Sequence, residues 1–172
     1  IFSYITITDN PPQWFNPSVD NSTPNPEQNV IHKINWTDEV GLDYATLEVN
    51  SSGVNCDTTA NVSSTTLSGA VNWSNLTWQI PNACEGKTIG WRQYANDSDS
   101  PNHWNVTDLQ TYTVNNLAPT ASFGTNPVDF RNSSSNSITF DLKCSDNLGA
   151  SSLRLYGNWS GSWIANQTNS TP

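Results

Sequence analysis

The residues best able to do chemistry in this chain are paired carboxylates, two histidines, three cysteines and a large set of asparagines. Asp38 and Glu39 stand together in TDEVGLD, and Asp97 and Asp99 in NDSDSPN. Ca²⁺ takes six to eight oxygen ligands, and two turns brought to one end of a domain could offer it these four carboxylates. The competing role is local, with Asp38 and Asp97 closing Asx turns in their own loops. His103 has no second His near enough for a zinc pattern, and His32 alternates with apolar residues as a core position does. The chain contains no Gly-rich phosphate loop, nucleophile elbow or HExxH, so the expectation is a protein that is not an enzyme.

The asparagines carry the stronger signal. Asn-x-Ser/Thr acceptors begin at Asn21, Asn35, Asn50, Asn61, Asn72, Asn75, Asn96, Asn105, Asn132, Asn158, Asn166 and Asn169. Chance, at this content of Asn, Ser and Thr, gives about 5 or 6 such N-glycosylation patterns. The twofold excess points to an extracellular glycoprotein with N-linked glycans as partners. Composition agrees. Charged residues are only 12% of the 172, and the net charge is −9. The six basic residues are scattered, which argues against a nucleic-acid partner, because phosphate binding needs clustered Lys and Arg. No apolar run approaches the ~18 residues of a membrane span. The chain lacks Met and a signal peptide, so it reads as a mature or excised stretch of a longer one.

An internal repeat organises the elements that must position these groups. Sliding the sequence by 108 places Asp38 on Asp146, Gly41 on Gly149, Leu47 on Leu155 and Asn50 on Asn158. The same shift pairs Pro11 with Pro119, Phe15 with Phe123 and Tyr4 with Tyr112. A unit of that size suits one β-sandwich, roughly 100 residues. Three regions follow. Residues 1–9 hold Ile1–Thr8, a closing strand of a neighbouring domain or a strand donated to one. Residues 10–117 form a complete sandwich, and 118–172 the first half of a second. In the complete unit the expected strands are A, Trp14–Val19; B, Val30–Thr37; C, Asp43–Val49; D, Asn61–Leu67; E, Leu76–Ile80; F, Thr88–Ala95; and G, Val106–Val114. In the second unit a fourth strand is expected at Gly161–Ala165. Period-2 alternation points Val30, His32, Ile34 and Trp36 inward, with Ala45, Leu47, Val49, Leu76, Trp78 and Ile80. Asn35 and Asn75 fall on the outward parity, and Asn21, Asn50, Asn72 and Asn96 at loops or strand ends, where a glycan has room.

In a seven-strand sandwich the C–D and E–F loops share one end, which brings Cys56 and Cys84 together. A bridge there would close a loop of about 28 residues, worth roughly 3 kcal/mol. Cys144 is an inward position on the second strand B, and its partner is expected outside this segment.

The stretches TDEVGLDYATLEVN, YANDSDSPNHWN and DLQTYTV resemble the immunoglobulin-like repeats of archaeal cell-surface proteins. Those repeats carry an Asp-Asn-x-Gly-like B–C loop, a Tyr-Ala-x-Asp-x-x-Gly-Asn-like F–G loop and a Thr-Val ending; this chain departs from them at Ser100-Pro101-Asn102. The resemblance implies an all-β fold of tandem Ig-like β-sandwich domains, one complete and one partial, at the cell surface. It implies a structural role in a glycosylated filament, pilus or thread, with copies of the chain as partners in a polymer or tandem array. Strand donation between subunits occurs in such filaments. The alternative is an adhesin or carbohydrate-binding module, whose mark would be a planar row among Trp73, Trp104, Trp159 and Trp163.

Overall fold

The computed structural model describes residues 9–49, 56, 61–125, 139–146, 149–158 and 160–171. The protein is all-β, with several antiparallel sheets. It divides into two compact units, Ile1–Asn116 and Leu117–Pro172. The expected strand Ile1–Thr8 and the acceptors Asn50 and Asn132 lie outside the described residues.

In the first unit the strands are β1 (Gln13–Val19), β2 (Asn29–Thr37), β3 (Leu42–Val49), β4 (Ser63–Thr66), β5 (Val71–Gln79), β6 (Thr88–Asp97), β7 (Trp104–Val106) and β8 (Gln110–Thr113). A 3₁₀ turn, Asn82–Cys84, leads from β5 to β6. One sheet has the order β1-β2-β5; the other runs β4-β3-β6-β7, with β8 also on β6. Alternation drives this pairing. Every second residue of β2 is buried, so Val30, His32, Ile34 and Trp36 face the opposite sheet. Ala45, Leu47 and Val49 from β3 and Ile89, Trp91 and Ala95 from β6 meet them in one apolar cluster. Each large apolar side chain so buried stabilises the fold by roughly 1.5–3 kcal/mol.

A buried polar chain crosses between the sheets. Trp36 Nε1 donates to Ser74 Oγ over 3.0 Å. Ser74 Oγ donates to Gln93 Oε1, and Gln93 Nε2 donates to the His32 carbonyl over 2.9 Å. Gln93 is on β6, whereas Trp36, Ser74 and His32 belong to the three-stranded sheet. His32 lies edge-on to Trp91 with ring centroids 4.9 Å apart. Burial lowers its pKa to about 4, so the core histidine is neutral.

Three strands differ from expectation. The fourth, expected at Asn61–Leu67, is the four-residue Ser/Thr strand β4, and it adds to the edge of β3. Strand β5 starts at Val71, five residues earlier than expected. Its first inward positions are Asn72 and Ser74, so no apolar alternation marks them. The last strand is split, because Thr107 turns inward between β7 and β8. Its amide donates to the Gln93 carbonyl, and its hydroxyl accepts from the Gln93 amide.

The second unit has β9 (Thr120–Phe123) paired with β10 (Leu142–Ser145), and β11 (Leu153–Gly157) paired with β12 (Ile164–Asn169). The 108-residue shift lays β10 on the second half of β2, and β11 on β3. Strand β12 begins three residues beyond the expected Gly161 start. One register differs. Phe15 pairs with Asn35, but Phe123 pairs with Leu142, not with the shifted position Lys143. A one-residue slip turns a side chain to the opposite face. Phe123 therefore shares the face of Leu142 and Cys144, while Phe15 is on the outer face of its sheet. Phe123 is 65% exposed. With Leu142, Leu153 and Leu155 it lines an open cleft of about 280 Å³.

Replacing Ser74 by Ala strands Gln93 Oε1 and Trp36 Nε1 in the core. The expected cost is about 1–3 kcal/mol, read as a lower urea midpoint with unchanged slope.

Candidate functional site

The carboxylates gather where the β2–β3 loop meets the β6–β7 loop. Ser98 N donates to the Gly41 carbonyl over 2.7 Å, which fastens the two loops together. Gly41 has φ +140°, and a Cβ there would come within 3.2 Å of Ser98 Oγ, so the approach requires glycine. The β6–β7 loop folds back on its own start, with Asp97 N donating to the His103 carbonyl.

Asp97 is the inward-facing last residue of β6 and is fully buried. Its Oδ1 accepts the amides of Asp99 and His103, at 3.2 and 3.0 Å. Its Oδ2 lies 3.0 Å from His103 Nδ1. Asp9 Oδ2 approaches the same nitrogen, also at 3.0 Å. Asp9 Oδ1 is buried without a partner. The imidazole thus sits between two carboxylates, one from the segment before β1 and one from β6. Partial burial opposes its charge, but hydrogen bonds to Asp97 and Asp9 outweigh that and raise its pKa above 6.5. The Asp9 pKa is also raised, first by burial and then by the Asp97 charge, against the pull of His103.

The four expected calcium ligands do not converge on one centre. Asp38 Oδ1 accepts the amides of Val40 and Gly41, at 2.9 and 2.8 Å, and so caps its own turn. Glu39 Oε1 accepts from the amide and the side chain of Asn10, and the side-chain bond is the main cause of its lowered pKa. Asp99 contributes its backbone amide. Of the four, Asp97 alone joins the cluster, with Asp9 and His103, whose candidate ligand atoms all lie within 4.8 Å of one another. An imidazole with two carboxylates is a donor set for a transition metal or a shared proton, not for Ca²⁺. Sequence spacing gave no sign of Asp9, which lies 94 positions from His103 in a proline junction.

The glycan acceptors separate by the state of their amides. Asn21, Asn61, Asn75, Asn158, Asn166 and Asn169 are exposed, and Asn35 is half-buried. Asn72 Nδ2 donates to the Ser68 carbonyl, and Asn105 Nδ2 to the Pro12 carbonyl over 2.7 Å. Asn96 corrects the expectation of an open strand end. It is 2% exposed, and its Nδ2 donates to Asp43 and to the Asp97 carbonyl. A glycan has no room there, because Tyr44 and Trp104 flank Asn96 in register and touch edge to face at 6.5 Å.

Cys56 and Cys84 are buried thiols, and the structure holds no bond between them. They are neighbours nonetheless: burial first, then a hydrogen bond with Cys56, pushes the Cys84 thiol well above its ordinary range. Cys144 is a half-buried thiol. Trp73 and Trp104 are exposed, but they stand on different sheets and do not share a plane. Trp163 is exposed in the second unit, and Trp159 lies outside the described residues.

No protein-family model, curated protein or solved structure significantly matches this chain.

The raised His103 pKa has a definite sign. The folded protein holds this proton more tightly than the unfolded chain. The resulting stability is complete below pH 6.5 and is lost as the pH rises through the higher folded value. An NMR titration of His103 should give a midpoint above 6.5, and Asp9→Asn should lower it. For the cysteines, chain made in an oxidising compartment should yield a linked Cys56–Cys84 peptide on non-reducing digestion. Two separately alkylated thiols would contradict that expectation.

Proposed function

We propose that this chain is a structural component of a heavily N-glycosylated extracellular filament or surface thread. Its beads are Ig-like β-sandwiches, joined by strand complementation or by a continuous tandem chain. The observation that carries this reading is the contrast between two units of one repeat. In the first, the sheets β1-β2-β5 and β3-β6-β7/β8 support a reading as strands A, B, E and C, F, G of an immunoglobulin-like sandwich. The added β4 lies beside β3, read here as strand C. In the second, β9–β10 and β11–β12 repeat the A–B and C pairings but leave Phe123, Leu142, Leu153 and Leu155 around an open cleft. Among the described residues nothing covers this apolar face; such a face is an association surface, and strand addition is one way to cover it.

The segment we assign to that role, on its sequence, is 1–8 of another copy. It is β-branched and aromatic, and the repeat places its Tyr4 on Tyr112, a buried residue of β8. The acceptor asparagines supply the polar, weakly ionic coat that an exposed thread needs.

Electron microscopy of the glycosylated protein from its producing cells should show regular fibres with a repeat of one or two sandwiches. Leu155→Asp should abolish them while the first unit melts unchanged. Separate two-domain particles from the unaltered protein would refute the filament and favour a binding module.

A further inference from the structure

Two rows on the surface of the first unit share one pattern, an asparagine between two aromatic residues. Tyr44, Asn96 and Trp104 lie side by side across β3, β6 and β7. Phe15, Asn35 and Trp73 lie side by side across β1, β2 and β5. Each central asparagine begins an Asn-x-Ser/Thr acceptor. Residues directly opposite on antiparallel strands face the same way, with Cβ atoms roughly 5 Å apart. Each amide therefore stands between two aromatic side chains.

The rows differ in how the rings close. Tyr44 and Trp104 meet over Asn96, whose Nδ2 is bonded inward. Phe15 and Trp73 stay open, at 50% and 44% exposure. The Asn35 amide between them presents its two ends differently. Oδ1 is buried without a partner, while Nδ2 is neither buried unpaired nor engaged in a hydrogen bond. The nitrogen that accepts a glycan is the free end, and the carbonyl is turned into the sheet. Asn35 is also on the central strand of its sheet, so the acceptor is held still between its two rings. Asn75, two residues beyond Trp73, is the next acceptor on this face, but the side chain opposite it is Lys33.

We infer that Asn35 carries an N-linked glycan whose first sugar lies against the Trp73 and Phe15 rings. The inference rests on reading the chain as an N-glycosylated surface protein. In the attachment step Nδ2 forms a bond to the anomeric carbon of a lipid-phosphate-activated glycosyl donor. The bond from that carbon to the phosphate oxygen breaks, the lipid phosphate leaves with the electron pair, and one amide proton passes to a base of the transferase. The sugar's C–H face then covers aromatic surface that is otherwise bare on an outer sheet face. The attached sugar is the occupant of the row because its anchor is planted in the middle of it.

Glycopeptide mass spectrometry of the full chain from its producing cells tests occupancy site by site. Asn35 should be occupied and Asn96 bare. NMR of the same glycoprotein should show nuclear Overhauser contacts from the Trp73 indole to the first sugar. That sugar's C–H protons should move upfield, and Trp73→Ala should remove the shift. Asn35→Gln should lower the melting temperature by roughly 4 °C, the scale of one ring-packing contact in a domain of this size. The loss should nearly vanish in the Trp73→Ala background, and Asn75→Gln should leave the indole contacts in place. A bare Asn35 beside occupied Asn21 and Asn75 would overturn the inference and leave the glycoprotein reading standing. Bare acceptors throughout would overturn both. An occupied Asn35 with no indole contact would overturn the packing, as would binding of free sugar or of a second copy to Trp73.

Discussion

Two sheets held by apolar burial alone can slide, because burial has no direction. In the first unit Gln93 removes that freedom. Its amide nitrogen is committed to the His32 carbonyl of β2 and its oxygen to the Ser74 hydroxyl of β5, while the Gln93 backbone is on β6. Any shift of one sheet along the other would leave buried donors and acceptors unmade, and each such group costs about 1–3 kcal/mol. Thr107 extends the constraint outward by bonding the Gln93 backbone, which is why the last strand breaks into β7 and β8 there. The placement of β6 then determines where Asp97 and the β6–β7 loop end up.

Period-2 alternation made much of this fold legible. Strands β2 and β3 read correctly to within one residue at their starts because their inner rows are mostly apolar: Val30, Ile34 and Trp36 beside His32, then Ala45, Leu47 and Val49. Two of the failures, in β5 and in the last strand, share one cause. The first half of β5 has Asn72 and Ser74 on its inner side, and Thr107 is a buried polar residue inside a strand-like run. A polar residue that is inward because of a partner on another sheet leaves no local mark. The offset of the repeat was equally visible, yet it could not show that β9 is slid by one residue. Identity of letters at Phe15 and Phe123 concealed an inversion of face, and a register set by pairing lies beyond any alignment.

The candidate site was legible only in part. That the two acidic loops share one end followed from sandwich topology. Which carboxylates converge did not, because Asp38 and Glu39 are used up nearby, by the turn amides and by Asn10. The convergence is made by Asp9 and His103, residues from opposite ends of the unit. Among the acceptors, parity along the strand placed Asn35 and Asn75 outward correctly. It could not distinguish Asn35 from Asn96, because both are outward and both are flanked by aromatic residues. What separates them is whether the rings touch, and that depends on side-chain direction rather than spacing.

The contacts around Asp9 also say what the site does mechanically. Asp9 is bonded to His103, Asn10 to Glu39 through both its amide and its side chain, and the Pro12 carbonyl to Asn105. Three separate partners thus fasten three of the four consecutive residues 9–12, two of the four being prolines whose φ is already restricted. The junction before β1 is therefore strapped onto the loop end of the first unit instead of hinging from it. The arrangement accounts for Asn105 as well: its Nδ2 is spent on the strap, so this acceptor has a structural task. It also accounts for a carboxylate pair that would otherwise repel. Asp9 and Asp97 tolerate one another because the His103 proton lies between them, and the strap is strongest while that proton is held. The two carboxylates are held together by the shared imidazole, and the segment before β1 is held by hydrogen bonds and proline geometry.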